Sequence, residues 1–271
     1  MPELIRNIAR KVLPEIIKRK ITGLFYGWYG NYDSWPSAQR KSSGYDSAGI
    51  ISKVKTAALE VRNGKAAYER DSVLFYEKNY YFPLLAAITL ASVNNKGKVN
   101  VLDFGGSFGS TYYQNMPFFS NLNDVNWCIV EQDAFVREGK LSFEDDNLHF
   151  FNSIKECFDS YKIDIVIFSS VLQYLEKPFS IIDEIISASP DYLFIDRTPF
   201  INGPDRLTVQ KVNPWIYKAS YPCWFFNKEK FLSALKGSYE LLFEFDALDK
   251  ANIKSEFKGF LLRNSNPDIN R

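Results

Sequence analysis

The sequence predicts an α/β fold, with a doubly wound, mostly parallel seven-stranded sheet preceded by a helical and aromatic cap. Three observations support this class. First, short runs rich in β-branched and aromatic residues recur at 100–104, 126–130, 148–151, 163–168, 192–195, 239–245 and 257–262, with helical stretches between the first five. Second, a run such as Ile163-Asp164-Ile165-Val166-Ile167-Phe168 is apolar almost throughout, as a strand covered on both faces must be. Third, the first run leads through clustered glycines into a helical segment. The last two runs have no helix between them and are predicted to pair antiparallel.

The 271 residues include 33 Lys+Arg and 32 Asp+Glu, for a net charge of +1, with 46% apolar and 16% aromatic residues. Near-neutrality excludes a nucleic-acid binder that works by bulk charge, and the apolar content excludes extensive disorder. No apolar run approaches the roughly 18 residues of a membrane-spanning helix. Cys128, Cys157 and Cys223 form no C-x-x-C pair and His149 is the lone histidine, so neither a metal site nor a disulfide framework is expected. The N-terminus lacks the apolar core and cleavage site of a secretory signal, and a cytoplasmic location is the expectation. The predicted division is a cap over 1–81, a main domain over 82–265 and a tail over 266–271.

Within the cap, residues 1–21 carry six basic and two acidic side chains, with Leu4, Ile5, Ile8, Val12 and Ile16 at helical spacing, interrupted at Pro14. Such a stretch either packs on the body or makes a peripheral contact with anionic lipid at the inner face of the membrane. Residues 23–46 are rich in Gly, Tyr, Trp and Ser. They read as an aromatic loop that packs on or covers something, because rings are costly to leave in water. Helices are predicted around Ile50, Val54, Ala58 and Val61 and over 82–93.

The informative segment is Val101-Leu102-Asp103-Phe104-Gly105-Gly106-Ser107-Phe108-Gly109-Ser110. In an open parallel sheet, ligands bind beyond the carboxyl ends of the strands, where glycines let the backbone approach closely. Glu131 ends the next run, 22 residues after Gly109, where an acid can accept hydrogen bonds from both hydroxyls of a ribose. A nucleoside-containing cofactor is implied. A nicotinamide-type G-x-G-x-x-G fits poorly, because Ser107 and Ser110 stand at its second and third glycines.

The spacing Asp103-x-Gly105-x-x-x-Gly109 resembles the first motif of class I S-adenosylmethionine-dependent methyltransferases, with Ser107 in place of the usual middle glycine. Residues 164–178, Asp-Ile-Val-Ile-Phe-Ser-Ser-Val-Leu-Gln-Tyr-Leu-Glu-Lys-Pro, resemble the fourth strand and following turn of that Rossmann-like fold, with Gln173 where many members carry histidine. Three further blocks are similar to a narrower group of methyltransferases associated with bacterial surface-polysaccharide biosynthesis. They are Gly30-x-Tyr32-x-Ser34-Trp35-x-x-Ala38 with Ser43-Gly44-Tyr45, then Asp196-Arg197-Thr198-Pro199-Phe200, then Thr208-Val209-Gln210 with Tyr217 and Ser220-Tyr221-Pro222.

The resemblance implies S-adenosylmethionine as cofactor, with Asp103, Gly105, Gly106, Ser107 and Gly109 forming its cradle. Glu131 would take the ribose and Gln132 the adenosine. Asn152 and Ser153 would lie near the adenine, and Ser169 and Ser170 near the methyl group. It implies methyl transfer to an oxygen of a sugar or surface-glycan precursor, contacted by Tyr32, Trp35, Gln173, Arg197, Gln210 and Tyr221. Asp196 is the expected base, with Asp33 in reserve. The proline- and ring-rich stretch 198–224 is read as a long loop closing over the acceptor. No nucleic-acid partner is expected, and the oligomeric state is not legible.

Two other readings use the same residues. Gly105-Gly106-Ser107-Phe108-Gly109 is literally G-x-S-x-G, the nucleophile elbow of α/β-hydrolases, for which Ser107 would need His149 as base. A Rossmann-like binding protein without catalysis is the third reading, suggested by Ser107 and by the lack of an obvious base.

Overall fold

A computed structural model describes residues 26–44, 47–213, 216 and 218–266. In chain order, β1 (Gly27–Tyr32), α1 (Trp35–Gln39), α2 (Ser47–Arg62), β2 (Tyr68–Arg70), β3 (Val73–Phe75) and α3 (Phe82–Asn94) come first. The alternating part follows as β4 (Lys98–Phe104), α4 (Ser110–Phe119), β5 (Asp124–Val130), α5 (Asp133–Ser142), β6 (Leu148–Phe151), α6 (Ile154–Ser160), β7 (Ile165–Ser169), a 3₁₀ turn (Leu172–Tyr174) and α7 (Pro178–Ala188). The chain continues through β8 (Tyr192–Ile201), β9 (Arg206–Lys211), β10 (Ser220–Asn227), α8 (Lys228–Ser233), β11 (Tyr239–Asp246) and β12 (Glu256–Asn264).

Seven of these strands form the predicted sheet, in the order β6-β5-β4-β7-β8-β12-β11. The first five are mutually parallel, while β12 runs antiparallel to both β8 and β11. All seven sequence-read runs are strands, and the last two pair antiparallel as expected. Side chains alternate between two buried layers. Val101, Trp127, Ile129, Ile165, Ile167 and Phe194 face α3 and α4, whereas Leu102, Cys128, Val130, Val166, Phe168 and Ile195 face α6, α7 and α8. Burial on both faces is what makes these strands apolar throughout.

The order also locates the ligand-binding edge. From β4 the chain moves outward through β5 to β6, then returns to the other side of β4 for β7 and β8. The switch point lies between β4 and β7, and in open α/β sheets ligands sit at the carboxyl ends there.

Stretches read as loops are built otherwise. β8 is long: its first half pairs with β7 as far as Ser169↔Asp196, and beyond the end of β7 its place beside β8 is taken by β10, at Phe226↔Phe200 and Asn227↔Ile201. β10 pairs with β9 and β9 with β1, all antiparallel. Residues 198–224 are therefore largely strands of an upper sheet that rises from the carboxyl edge. The aromatic stretch supplies the outermost of these strands, and Asn252 clamps it by accepting from Trp28 N–H at 2.8 Å and donating to Trp28 C=O at 3.0 Å. A short hairpin, β2–β3, completes the N-terminal part. The basic segment 1–21 lies outside the described residues, among which no helix is long and apolar enough to cross a membrane.

Candidate functional site

The glycine turn closes at the end of β4, where Gly105 N–H donates to Val130 C=O at 2.9 Å. Gly105 has φ +73°, and a Cβ there would lie 2.7 Å from Val171, in the segment after β7. The turn and that segment are thus packed backbone to side chain across the switch point. Gly109, at φ +84°, opens α4. Between them Ser107 also takes a left-handed φ of 55°, and its hydroxyl is buried without a hydrogen-bond partner.

Asp103 points into the apolar layer on the α3 and α4 side, 2% exposed, where its Oδ2 accepts from Trp127 Nε1 at 3.1 Å. Burial pushes its carboxyl up to about 7, the Trp127 hydrogen bond opposing and the Glu131 charge adding to the shift. Gly106 sits on top of it, since a Cβ there would fall 2.6 Å from Oδ2. The folded protein therefore holds a proton that the unfolded chain releases, and stability conferred at low pH is lost as pH rises from about 4 to about 7. Asp103→Asn keeps the Trp127 bond without the charge. It is expected to raise the unfolding free energy at pH 8 by on the order of 1–3 kcal/mol and to leave it unchanged at pH 4, as urea titrations at the two pH values would show.

Glu131 continues β5 past Val130 and stands beside this turn. Its Oε2 accepts from Gln132 N–H at 2.8 Å, and the Ser107 N–H also favours the ionised form, but burial dominates and raises its pKa. Gln132 itself is exposed. The Ser153 side chain is occupied by a helix cap, in which Asn152 takes part through its backbone N–H alone. Ser153 accepts from Glu156 N–H at 3.2 Å while the Glu156 carboxylate accepts from Asn152 N–H at 2.9 Å, a reciprocal arrangement that starts α6.

On the other side of the switch point, Asp196 is 1% exposed. Its Oδ1 accepts from Tyr81 Oη at 2.8 Å and from Arg197 N–H at 2.7 Å, and Ser169 Oγ lies 3.4 Å from Oδ2. Burial lifts its carboxyl to about 6, with the Tyr81 hydrogen bond the largest opposing effect. Arg197, at φ 52°, sends its guanidinium away to a bidentate pair with Asp249 at 2.9 Å. Gln173 is buried and donates to Ser170 Oγ at 3.1 Å and to Arg197 C=O at 3.2 Å. Above them Tyr174 donates to Gln210 Oε1 at 2.8 Å and meets Tyr221 edge to face at 5.2 Å. Tyr174 thus links Gln210 and Tyr221 to the 3₁₀ turn that carries Gln173, whose amide reaches the Arg197 carbonyl beside Asp196, while the Arg197 guanidinium is committed to Asp249.

Tyr32, Trp35 and Asp33 are not brought there. Tyr32 and Trp35 pack with Leu207, Val209 and Trp224 on the upper sheet, Trp35 stacking on Trp224 at 6.4 Å. Asp33 is exposed just past β1, three strands from β8 and so roughly 14 Å away across the sheet. The nucleophile-elbow constellation is not formed either. The unpartnered Ser107 hydroxyl has no contact with His149, whose ring stacks on Tyr161 at 5.1 Å.

Sequence reasoning missed Tyr81, Tyr174, Asp249 and Glu69. Glu69, on β2, is 6% exposed and accepts from the hydroxyl of Ser110, the first residue of α4. Around the turn there are thus three substantially buried carboxylates, Asp103, Glu131 and Glu69, none with an ion-pair partner among the described residues. Burial raises the pKa of each. Nor do the described residues place three or more His, Cys, Asp or Glu side chains to hold a metal ion.

No protein-family model and no curated protein matches the chain. Among solved structures, it is similar to the N-terminal domain of EvdMO1 in the presence of SAH and D-fucose, at 14% identity over 81% of this chain and 97% of that one, TM-score 0.47. A S-adenosylmethionine-dependent methyltransferase from Clostridium acetobutylicum is similar at 12% identity over 78% and 98%, TM-score 0.46. Magnesium protoporphyrin IX methyltransferase from Synechocystis, with bound SAH, is similar at 12% identity over 79% and 99%, TM-score 0.45. At such identities and scores these likenesses concern the course of the chain and assign it no chemistry, which rests on the residues at the switch point.

Proposed function

We propose that the chain is an S-adenosylmethionine-dependent methyltransferase. The observation that carries this reading is the sign of the charge around the glycine turn. A turn that cradles the pyrophosphate of a dinucleotide offers N–H groups to an anion, and the carboxylates of Glu131 and Glu69 on either side of it, with no ion-pair partner among the described residues, would oppose that charge. A nucleoside that carries a cation meets the opposite condition. When bound, S-adenosylmethionine supplies an electrophilic methyl group on a positively charged sulfur. Gly105 and Gly106 let the turn close tightly on Val171 and Asp103, Glu131 accepts from the ribose hydroxyls, and Asp103 anchors the turn from below.

The residues on the β8 side support transfer to an oxygen. Asp196, with a carboxyl near 6, is largely ionised at neutral pH and suited to receive a hydroxyl proton, directly or through Tyr81. The tyrosines and amides above it, Tyr174, Tyr221, Gln173 and Gln210, offer rings and hydrogen-bonding groups of the kind that hold a sugar. A sugar or glycan precursor is therefore the acceptor in this reading, and the resemblance of the Asp196–Phe200 block points the same way. The reading carries with it a cytoplasmic enzyme, with segment 1–21 either packed on the body or in peripheral contact with anionic lipid at the inner face of the membrane.

Calorimetric titration tests the cofactor. Saturable binding of S-adenosylmethionine and S-adenosylhomocysteine, without binding of NAD, is the expected result. Glu131→Ala is expected to weaken both by tenfold or more, since it removes a charge-assisted acceptor. Binding of NAD in their place, or of none of the three, overturns the reading.

A further inference from the structure

The β2–β3 hairpin packs against α2 and α4, and α4 begins at the carboxyl edge of the sheet. At one end Glu69 accepts from Ser110 Oγ at the start of α4 and from Ser72 N–H at 2.9 Å. At the other, the tip residue Asp71 acts electrostatically on both Arg197 and Tyr174. The hairpin is therefore anchored at the first turn of α4, the helix that the glycine turn with its unpartnered, buried Ser107 hydroxyl leads into. Burying a carboxylate there costs more than burying a glutamine, which could keep both contacts by accepting from Ser72 N–H and turning its amide to donate to Ser110 Oγ. The N-terminal end of α4 and the charge of the adjacent Arg70 offset part of that cost, but no cationic side chain among the described residues forms an ion pair with the carboxylate.

We propose that Glu69 receives the α-ammonium group of S-adenosylmethionine, holding the amino-acid tail of the cofactor against the start of α4. This rests on the cofactor reading above. The tail is a zwitterion. Its carboxylate suits the free N–H groups in the first turn of α4, and its ammonium needs an anion beside them. Glu131 lies toward β5 and is assigned to the ribose. Asp196 lies toward β8, where the methyl group leaves, and Asp103 is enclosed beneath Gly106. Glu69 is the carboxylate at the α4 end of the turn.

The test is calorimetric titration of the full chain, wild type and Glu69→Gln, with four probes: S-adenosylmethionine, S-adenosylhomocysteine, decarboxylated S-adenosylmethionine and deaminated S-adenosylhomocysteine. The first three carry the ammonium group and the fourth does not. Glu69→Gln is expected to weaken the first three by about tenfold to a hundredfold and to leave the fourth within twofold. Equal losses for all four would make Glu69 a structural residue, and no loss would remove it from the site; either overturns the proposal. If the variant does not fold, the wild-type preference for S-adenosylhomocysteine over its deaminated form decides. Tenfold or more supports the proposal and parity overturns it. A wild-type chain that binds none of the four overturns the cofactor reading itself, an outcome distinct from all of these.

Discussion

Gly106→Ala is expected to lower S-adenosylmethionine affinity by at least a hundredfold while leaving a folded protein. The added methyl would sit 2.6 Å from Asp103 Oδ2 and 2.7 Å from its Cγ, inside van der Waals contact. Asp103 has nowhere to go, being enclosed on its strand and held by Trp127. The turn must yield instead. Its neighbours Gly105, Ser107 and Gly109 are already left-handed, so relief displaces the segment that is proposed to approach the cofactor, and displacements of about 1 Å suffice to spoil such contacts. Overpacking of this kind costs about 1–3 kcal/mol of stability, which a urea titration would report beside the calorimetry. Gly203→Ala is the control: its added methyl would meet nothing within 4 Å, so the left-handed φ of +103° costs some stability there while affinity should not change.

Phe108→Ala should be the most destabilising of these substitutions, by about 3–5 kcal/mol in equilibrium unfolding with an unchanged denaturant slope. Phe108 is fully buried, stacked on Phe143 at 4.9 Å and tilted against Phe135 at 5.1 Å. It sits inside the glycine turn, one residue before Gly109. Truncation would therefore open a cavity beneath the proposed cofactor cradle. Loss of the ring is expected to weaken the cofactor as well, and saturating cofactor should then recover part of the lost melting temperature.

What the sequence discloses depends on how far apart interacting residues lie. The parallel sheet was legible because each strand is apolar within a span of five or six residues and is punctuated by a helix. The glycine turn was legible because Asp103, Gly105, Gly106 and Gly109 all act within seven positions. The upper sheet left no such signal. Residues 27–32 pair with 206–211, and strands whose partners lie about 180 residues away look locally like aromatic loops, particularly where Gly27, Gly30 and Pro222 interrupt the alternation. The β2–β3 strands are three residues each, too short for a period of two to show. Glu69 was invisible for the same reason, because its meaning comes from Ser110, on an element 41 positions later. Asn152 and Ser153 show the converse. A polar pair at a strand end reads equally as a ligand contact or a cap, and Glu156 three residues after Ser153 was the local sign of the cap.

The placement of β1 also has a consequence for synthesis. This strand bonds to the rest of the sheet through β9, so it has no strand partner until residue 206 and its successors emerge. At about 5–20 residues per second, roughly ten to thirty-five seconds pass in which Trp28, Tyr29 and Tyr32 have been made but their pairing strand has not. The parallel strands β4 to β7 become available during that interval. Chains that terminate between β7 and β9 would carry four or five of the seven strands of the main sheet together with an unpaired aromatic strand at their beginning, the kind of edge that seeds association between nascent chains.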